Sequence, residues 1–213
     1  MFNSKEHINV FLSLSDDDRK FPKQAFNLLK KLNLLTVTLP EEFGGKNLGV
    51  SGGNSELLNM LKSVGRADLS VGRIYEGHIN ALLLIERFAT VQQKKNYYKD
   101  AYDGKLFSVW NTQRPFEAMS ITKENDNQFK LKGAKTYCSG GLNIQRPIIT
   151  AIGNTESQMI VLETEKYPAL KEDWSLWKPL GMRASVSTRI DFSELLVNSD
   201  QLLGLEADYF KEP

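Results

Sequence analysis

Nine residues carry most of the chemistry that this sequence offers. Gly133-Ala-Lys-Thr-Tyr-Cys-Ser-Gly-Gly141 sets an aromatic ring at Tyr137, a thiol at Cys138 and a hydroxyl at Ser139, followed by two glycines. A stacking face, a hydrogen-bonding hydroxyl and a backbone that tolerates close approach suit a flat cofactor ring. The alternative is a tight strand connection with no ligand. Little else competes for a chemical role. His7 and His78 are the only histidines and lie far apart, and Cys138 is the only cysteine. No internal disulfide is possible and zinc-finger spacing is absent, and no metal-ligand cluster, Ser/His/Asp set or Cys/His pair can be argued from these residues.

The elements that must position this stretch fall into two halves. Asp16–Asp18 can cap a first helix beginning near Phe21-Pro22, with Ala25, Leu28, Leu29 and Leu32 on its apolar face. Leu39-Pro-Glu-Glu-Phe-Gly-Gly45 should stop that helix and turn the chain. Gly52-Gly53-Asn54 opens a second helix, in which Gly65 allows a neighbour close. Asp68 or Ser70 caps a third running to about Phe88, whose apolar Ala81–Ile85 segment predicts burial on several sides. Thr90 caps a fourth, 92–102. After Gly104 the texture changes to short strands. Leu106–Thr112 has strand composition, and Met119 and Ile121 face Phe129 and Leu131 across the hairpin signal Asn125-Asp126-Asn127. Residues 147–151 and 158–162 read as buried strands, and Val186, Thr188, Ile190 and Phe192 alternate strictly. The fold class expected is α+β: an all-α N-terminal domain, 1–104, then a β-barrel or sandwich domain, 105–200.

Composition narrows the function classes. Among 213 residues, 27 Lys plus Arg balance 26 Asp plus Glu, so nothing favours nucleic acid. The longest apolar run, Ala81–Ile85, is far short of a membrane span. The N-terminus reads as neither a signal nor a transit peptide, and a cytoplasmic location is the default.

Taken in order, five motifs resemble those of acyl-CoA dehydrogenases. They are Leu39-Pro-Glu-Glu-Phe-Gly-Gly, Phe88-Ala-Thr-Val-Gln-Gln-Lys-Lys, the strand Leu106–Thr112, Gly133–Gly141, and Leu180-Gly-Met-Arg-Ala-Ser with Ile190-Asp-Phe and Val197. The resemblance implies FAD, with Tyr137, Cys138 and Ser139 and the strand end Val109, Trp110, Asn111 and Thr112 forming one side of the flavin cradle. It implies a ring-stacking role for Tyr137 and a hydroxyl near flavin N5 for Ser139. It places His78 on a helix that lines the acyl pocket, as a possible substrate contact; a satisfied core histidine is the alternative. Trp110 and Cys138 equally read as core side chains. Arg183 and Ser185 read as turn-fixing groups.

The reaction implied is α,β-desaturation of an acyl-CoA or related acyl thioester, with electrons passed to an acceptor and a homo-oligomer as the complete form. The family's catalytic base comes from a C-terminal helical domain, of which residues 201–213 look like the start. No catalytic residue is therefore assigned here, and Glu76 and Glu117 are expected to be solvated. Trp110-Asn-Thr-Gln-Arg-Pro-Phe116 departs from the family's Thr-Glu-Pro-Gly-Ala-Gly-Ser pattern. That departure leaves room for an acyl-CoA oxidase or a flavin monooxygenase. A catalytically silent subunit that binds a partner is a third expectation.

Overall fold

The structure is a computed structural model and describes residues 19–211, so His7 and the Asp16–Asp18 cap lie outside the described residues. Among the described residues four α-helices come first: α1 (Lys23–Lys31), α2 (Asn54–Ala67), α3 (Leu69–Phe88) and α4 (Val91–Tyr102). α1 buries Ala25 and Leu29 of the predicted face, leaves Leu28 and Leu32 partly buried, and also buries Phe26, which the spacing did not include. It stops well before Leu39 because Asn33 turns into the left-handed region at φ 55°, a conformation Asn tolerates. The Asp68 carboxylate accepts a 2.9 Å hydrogen bond from the Val71 N–H and so fixes the start of α3. Thr90 and Gln93 form a reciprocal capping box on α4. α2 and α3 meet through Gly65 and Gly72: a Cβ on Gly72 would sit 2.8 Å from the Gly65 Cα.

Ten strands follow: β1 (Phe107–Trp110), β2 (Ser120–Lys123), β3 (Gln128–Lys132), β4 (Ala134–Cys138), β5 (Arg146–Ile152), β6 (Ser157–Val161), β7 (Glu172–Asp173), β8 (Thr188–Asp191), β9 (Leu196–Asn198) and β10 (Leu202–Leu203). Seven make one sheet in the order β10-β6-β5-β2-β3-β9, with β1 alongside β5; the other three form β4-β8-β7. The predicted hairpin is the β2–β3 pair, with Ile121 opposite Leu131. The strict alternation near the C-terminus holds too, since Val186, Thr188, Ile190 and Phe192 are all buried.

The change of texture at Gly104 does not separate two cores. One buried cluster joins Leu29, Val64, Ile74 and Tyr75 of the helices to Trp110, Ile149, Ile190 and Phe192 of the sheets. α3 supplies the shared wall, which explains why buried apolar residues run along most of its circumference, from Val71 and Ile74 to Leu82 and Ile85. At the other end the sheet extends beyond residue 200, because Leu202 and Leu203 pair with Ile160 and Met159. Tyr209 packs against a second cluster that includes Leu82, Phe107 and Met159. Phe210 remains exposed.

A candidate cofactor edge at the ends of β1 and β4

The ends of β1 and β4 are tied side by side by a 2.9 Å hydrogen bond from the Thr136 N–H to the Thr112 carbonyl. Just beyond Thr136, the pairing of β4 with β8 slips between Lys135 and Cys138. Tyr137 takes φ 55° within that irregularity. A bulge of this kind re-aims a side chain, and the Tyr137 ring emerges 58% exposed between buried Thr136 and Cys138.

The seven residues expected to face a cofactor therefore divide. Val109, Asn111 and Thr112 line one recess, and Tyr137 lines another. Trp110, Cys138 and Ser139 lie behind them. Trp110 is 1% exposed, and its indole N–H donates to the Ser139 carbonyl at 3.1 Å. Cys138 is fully enclosed, and burial pushes its thiol well above the usual range, so it stays protonated. A ligand meets neither side chain; both are core groups that hold the edge from the rear.

Ser139 also differs from expectation. Its Oγ is buried and lies 3.0 Å from the Ser187 Oγ, which in turn is 2.9 Å from the Ser185 Oγ. Of the three serines, Ser187, itself only 6% exposed, is the one that borders the open side. It shares a recess of about 270 Å³ with Tyr137, Thr136, Leu176, Arg114 and Arg189. Ser185 fixes the turn as its motif predicts, and the Arg183 carbonyl accepts from the Trp177 indole at 3.2 Å. Val186, between the two serines, sits at φ 45°. A β-branched residue is strained there, and such strain gathers at sites rather than in ordinary turns. Glu117 is not simply solvated: it pairs with the Arg189 guanidinium at 3.0 Å.

The second recess, about 590 Å³, lies between α3 and the end of β1. Arg73, Glu76, Asn80 and Arg87 project into it from α3 at steps of three, four and seven residues, one stripe of a helix. Glu76 is held by Arg73 and by the Asn80 amide. Sequence reading missed this stripe because the apolar run beside it dominates the segment; the spacing was the available signal. Ser187, Arg114 and Arg189 were missed because only the fold brings them to Tyr137.

His78 does not touch the recess, which corrects its expected substrate role. It is fully buried; its Nδ1 accepts from the Phe107 N–H at 3.1 Å and its Nε2 lies 2.7 Å from the Leu35 carbonyl. These partners require a neutral ring protonated on Nε2, and burial accordingly lowers its pKa to about 4. His78 pins α3 to β1 and to the segment after α1. Among the described residues no cluster of His, Cys, Asp or Glu could hold a metal ion. No helix there is long and apolar enough to cross a membrane.

Comparison with known proteins agrees with this layout. The family model described as "Acyl-CoA dehydrogenase, N-terminal domain" matches residues 4–105. A 2-methylacyl-CoA dehydrogenase from Solanum tuberosum is 26% identical, over 95% of this chain and 51% of its own length. The probable FMNH2-dependent monooxygenase SfnC of Pseudomonas putida is 23% identical, over 88% of this chain and 47% of its own. Among solved structures, FMN-bound TdsC from a Paenibacillus species superposes with a TM-score of 0.84 at 19% identity, covering 96% of this chain and 53% of that one. The chain thus spans about half the length of the relatives it matches.

Proposed function

We propose that this chain, whose residues 4–105 match the acyl-CoA dehydrogenase N-terminal domain model, is of that family and forms one wall of a flavin-dependent oxidoreductase site. The observation that carries the proposal is the edge where the exposed Tyr137 ring and the Asn111–Thr112 strand end lie side by side. The residues fit a flavin in kind. An aromatic face, a hydroxyl at Ser187 and two guanidinium groups surround one recess, and polar backbone borders the next. When bound, the flavin supplies the hydride or oxygen chemistry. This chain's residues bind and orient it: Tyr137 stacks, Ser187 offers the hydroxyl that the Ser139 position was expected to give, and the end of β1 faces the pyrimidine side.

FAD follows from the resemblance, and FMN is the cofactor named for the bound TdsC structure. The reaction we favour is α,β-desaturation of an acyl thioester, with electrons leaving to a separate acceptor. A second reading, monooxygenation, is favoured by the polar stripe of Arg73, Glu76, Asn80 and Arg87. A substrate with polar groups suits that wall better than a bare hydrocarbon tail. An anaerobic experiment separates the two. Desaturation requires that acyl thioesters bleach the flavin of the loaded protein. Monooxygenation requires that they leave it yellow, and that dioxygen be consumed with substrate only once the flavin has been reduced from outside.

A further inference from the structure

Lys135 is 1% exposed, yet no carboxylate pairs with it among the described residues. Its Nζ donates instead to three neutral acceptors: the Asn111 carbonyl at 3.0 Å, the Gln113 Oε1 at 2.8 Å and the Thr150 Oγ1 at 3.0 Å. An ammonium has three N–H donors, so all of them are used. The network extends further. Thr150 passes its own proton to the Asn111 Oδ1, and the Gln113 Oε1 also accepts from the Met119 N–H at 3.1 Å. Between these two residues, the Thr112 carbonyl accepts from the Thr136 N–H. Every residue of the turn 111–113 is therefore tied down, either to Lys135 itself or to the residue beside it.

We infer that Lys135 is the positioning residue for the turn 111–113, setting the end of β1 against the Tyr137 rim so that both can meet one planar ligand. The inference rests on the flavin reading for its ligand but not for its geometry. A buried cation satisfied only by neutral oxygens is a poor device for stability, since desolvation outweighs what such acceptors return. A methionine would fill the same space without that cost. The lysine is explained by what its three fixed directions hold in place. Burial draws its pKa down to about 8, and the one titratable neighbour acting on it is the Cys138 thiol.

The test compares the full chain with its Lys135→Met variant by amide hydrogen exchange and by titration with FMN. The expected result is at least about tenfold faster exchange over 111–114, with α3 unchanged, and about tenfold weaker FMN binding. Thr150→Val, which keeps the lysine but removes both one of its acceptors and the hydroxyl's own bond to the Asn111 Oδ1, gives a smaller change centred on Asn111. It also serves should Lys135→Met fail to fold. Unchanged exchange over 111–114 in either folded variant overturns the inference, as does a uniform loosening of the whole chain. If the wild-type chain does not bind FMN while exchange still responds to Lys135→Met, the flavin reading fails and the positioning role stands.

Discussion

Two cations are buried among the described residues, and their surroundings are opposite. Arg146 is 2% exposed and is surrounded by carboxylates: Asp100 at 2.6 Å, Glu165 at 2.7 Å and Glu163 at 3.5 Å. Lys135 is as deeply buried and meets only neutral oxygens. The arginine joins α4, β5 and the segment after β6. Its charge is compensated, and it reads as a fold clamp. The lysine sits beneath the candidate cofactor edge, its charge is not compensated, and it orders a turn rather than a domain. One fold thus uses the same kind of group for stability in one place and for placement in another. The difference lies in the partners, not in burial.

The largest effect expected is at the clamp. Arg146→Met takes the buried partner from three carboxylates, leaving Asp100 and Glu165 to Lys105 and Glu163 to Lys166, and should cost about 3 kcal/mol in denaturant unfolding at pH 7. An Arg146→Met protein as stable as wild type at pH 7 would erase the contrast with Lys135.

His78 comes next. Its folded pKa of about 4 lies below the ordinary value of 6.5, so the unfolded chain binds more protons between those two values. Stability should therefore be full above pH 6.5 and fall on acidification toward pH 4, by roughly 3 kcal/mol. His78→Leu should remove this acid-sensitive portion while costing about 2 kcal/mol at pH 7, because the Phe107 N–H and the Leu35 carbonyl lose their partner. Thermal melts across that range check both.

Lys135→Met gives the smallest effect on stability and sharpens the comparison most. Removing a buried cation offsets the acceptors left unpaired, so the net change at pH 7 should lie within about 1 kcal/mol. Because the folded pKa is about 8, below the ordinary 10.5, wild-type stability should rise from pH 8 to 10.5 as the unfolded chain alone remains protonated. The variant should lack that rise.

The sequence disclosed the fold more fully than the site. The hairpin around Asn125–Asn127, the Asp68 and Thr90 caps and the alternation from Val186 to Phe192 are local signals, and each has its counterpart in the structure. The site depends on non-local facts. Nothing in the local pattern says that Ser187 will stand between Ser139 and the open recess, because 48 residues separate the pair. Trp110 and Cys138 read equally as core or cofactor contacts until the packing of their side chains is known. The outward turn of Tyr137 comes from a pairing slip with β8 that periodicity does not record. Lys135 carries no local signal of its own, and only tertiary contacts reveal its three acceptors.

The central claim is that a flavin binds against Tyr137 and the end of β1. Its most direct test is a fluorescence titration of the chain with FMN and with FAD, beside the Tyr137→Ala variant, with the bound state mapped by hydrogen exchange. The account predicts quenched flavin fluorescence, binding weakened about tenfold by Tyr137→Ala, and new protection at 109–112 and 136–139. Absence of binding, or protection appearing elsewhere with Tyr137→Ala binding as wild type does, would contradict it.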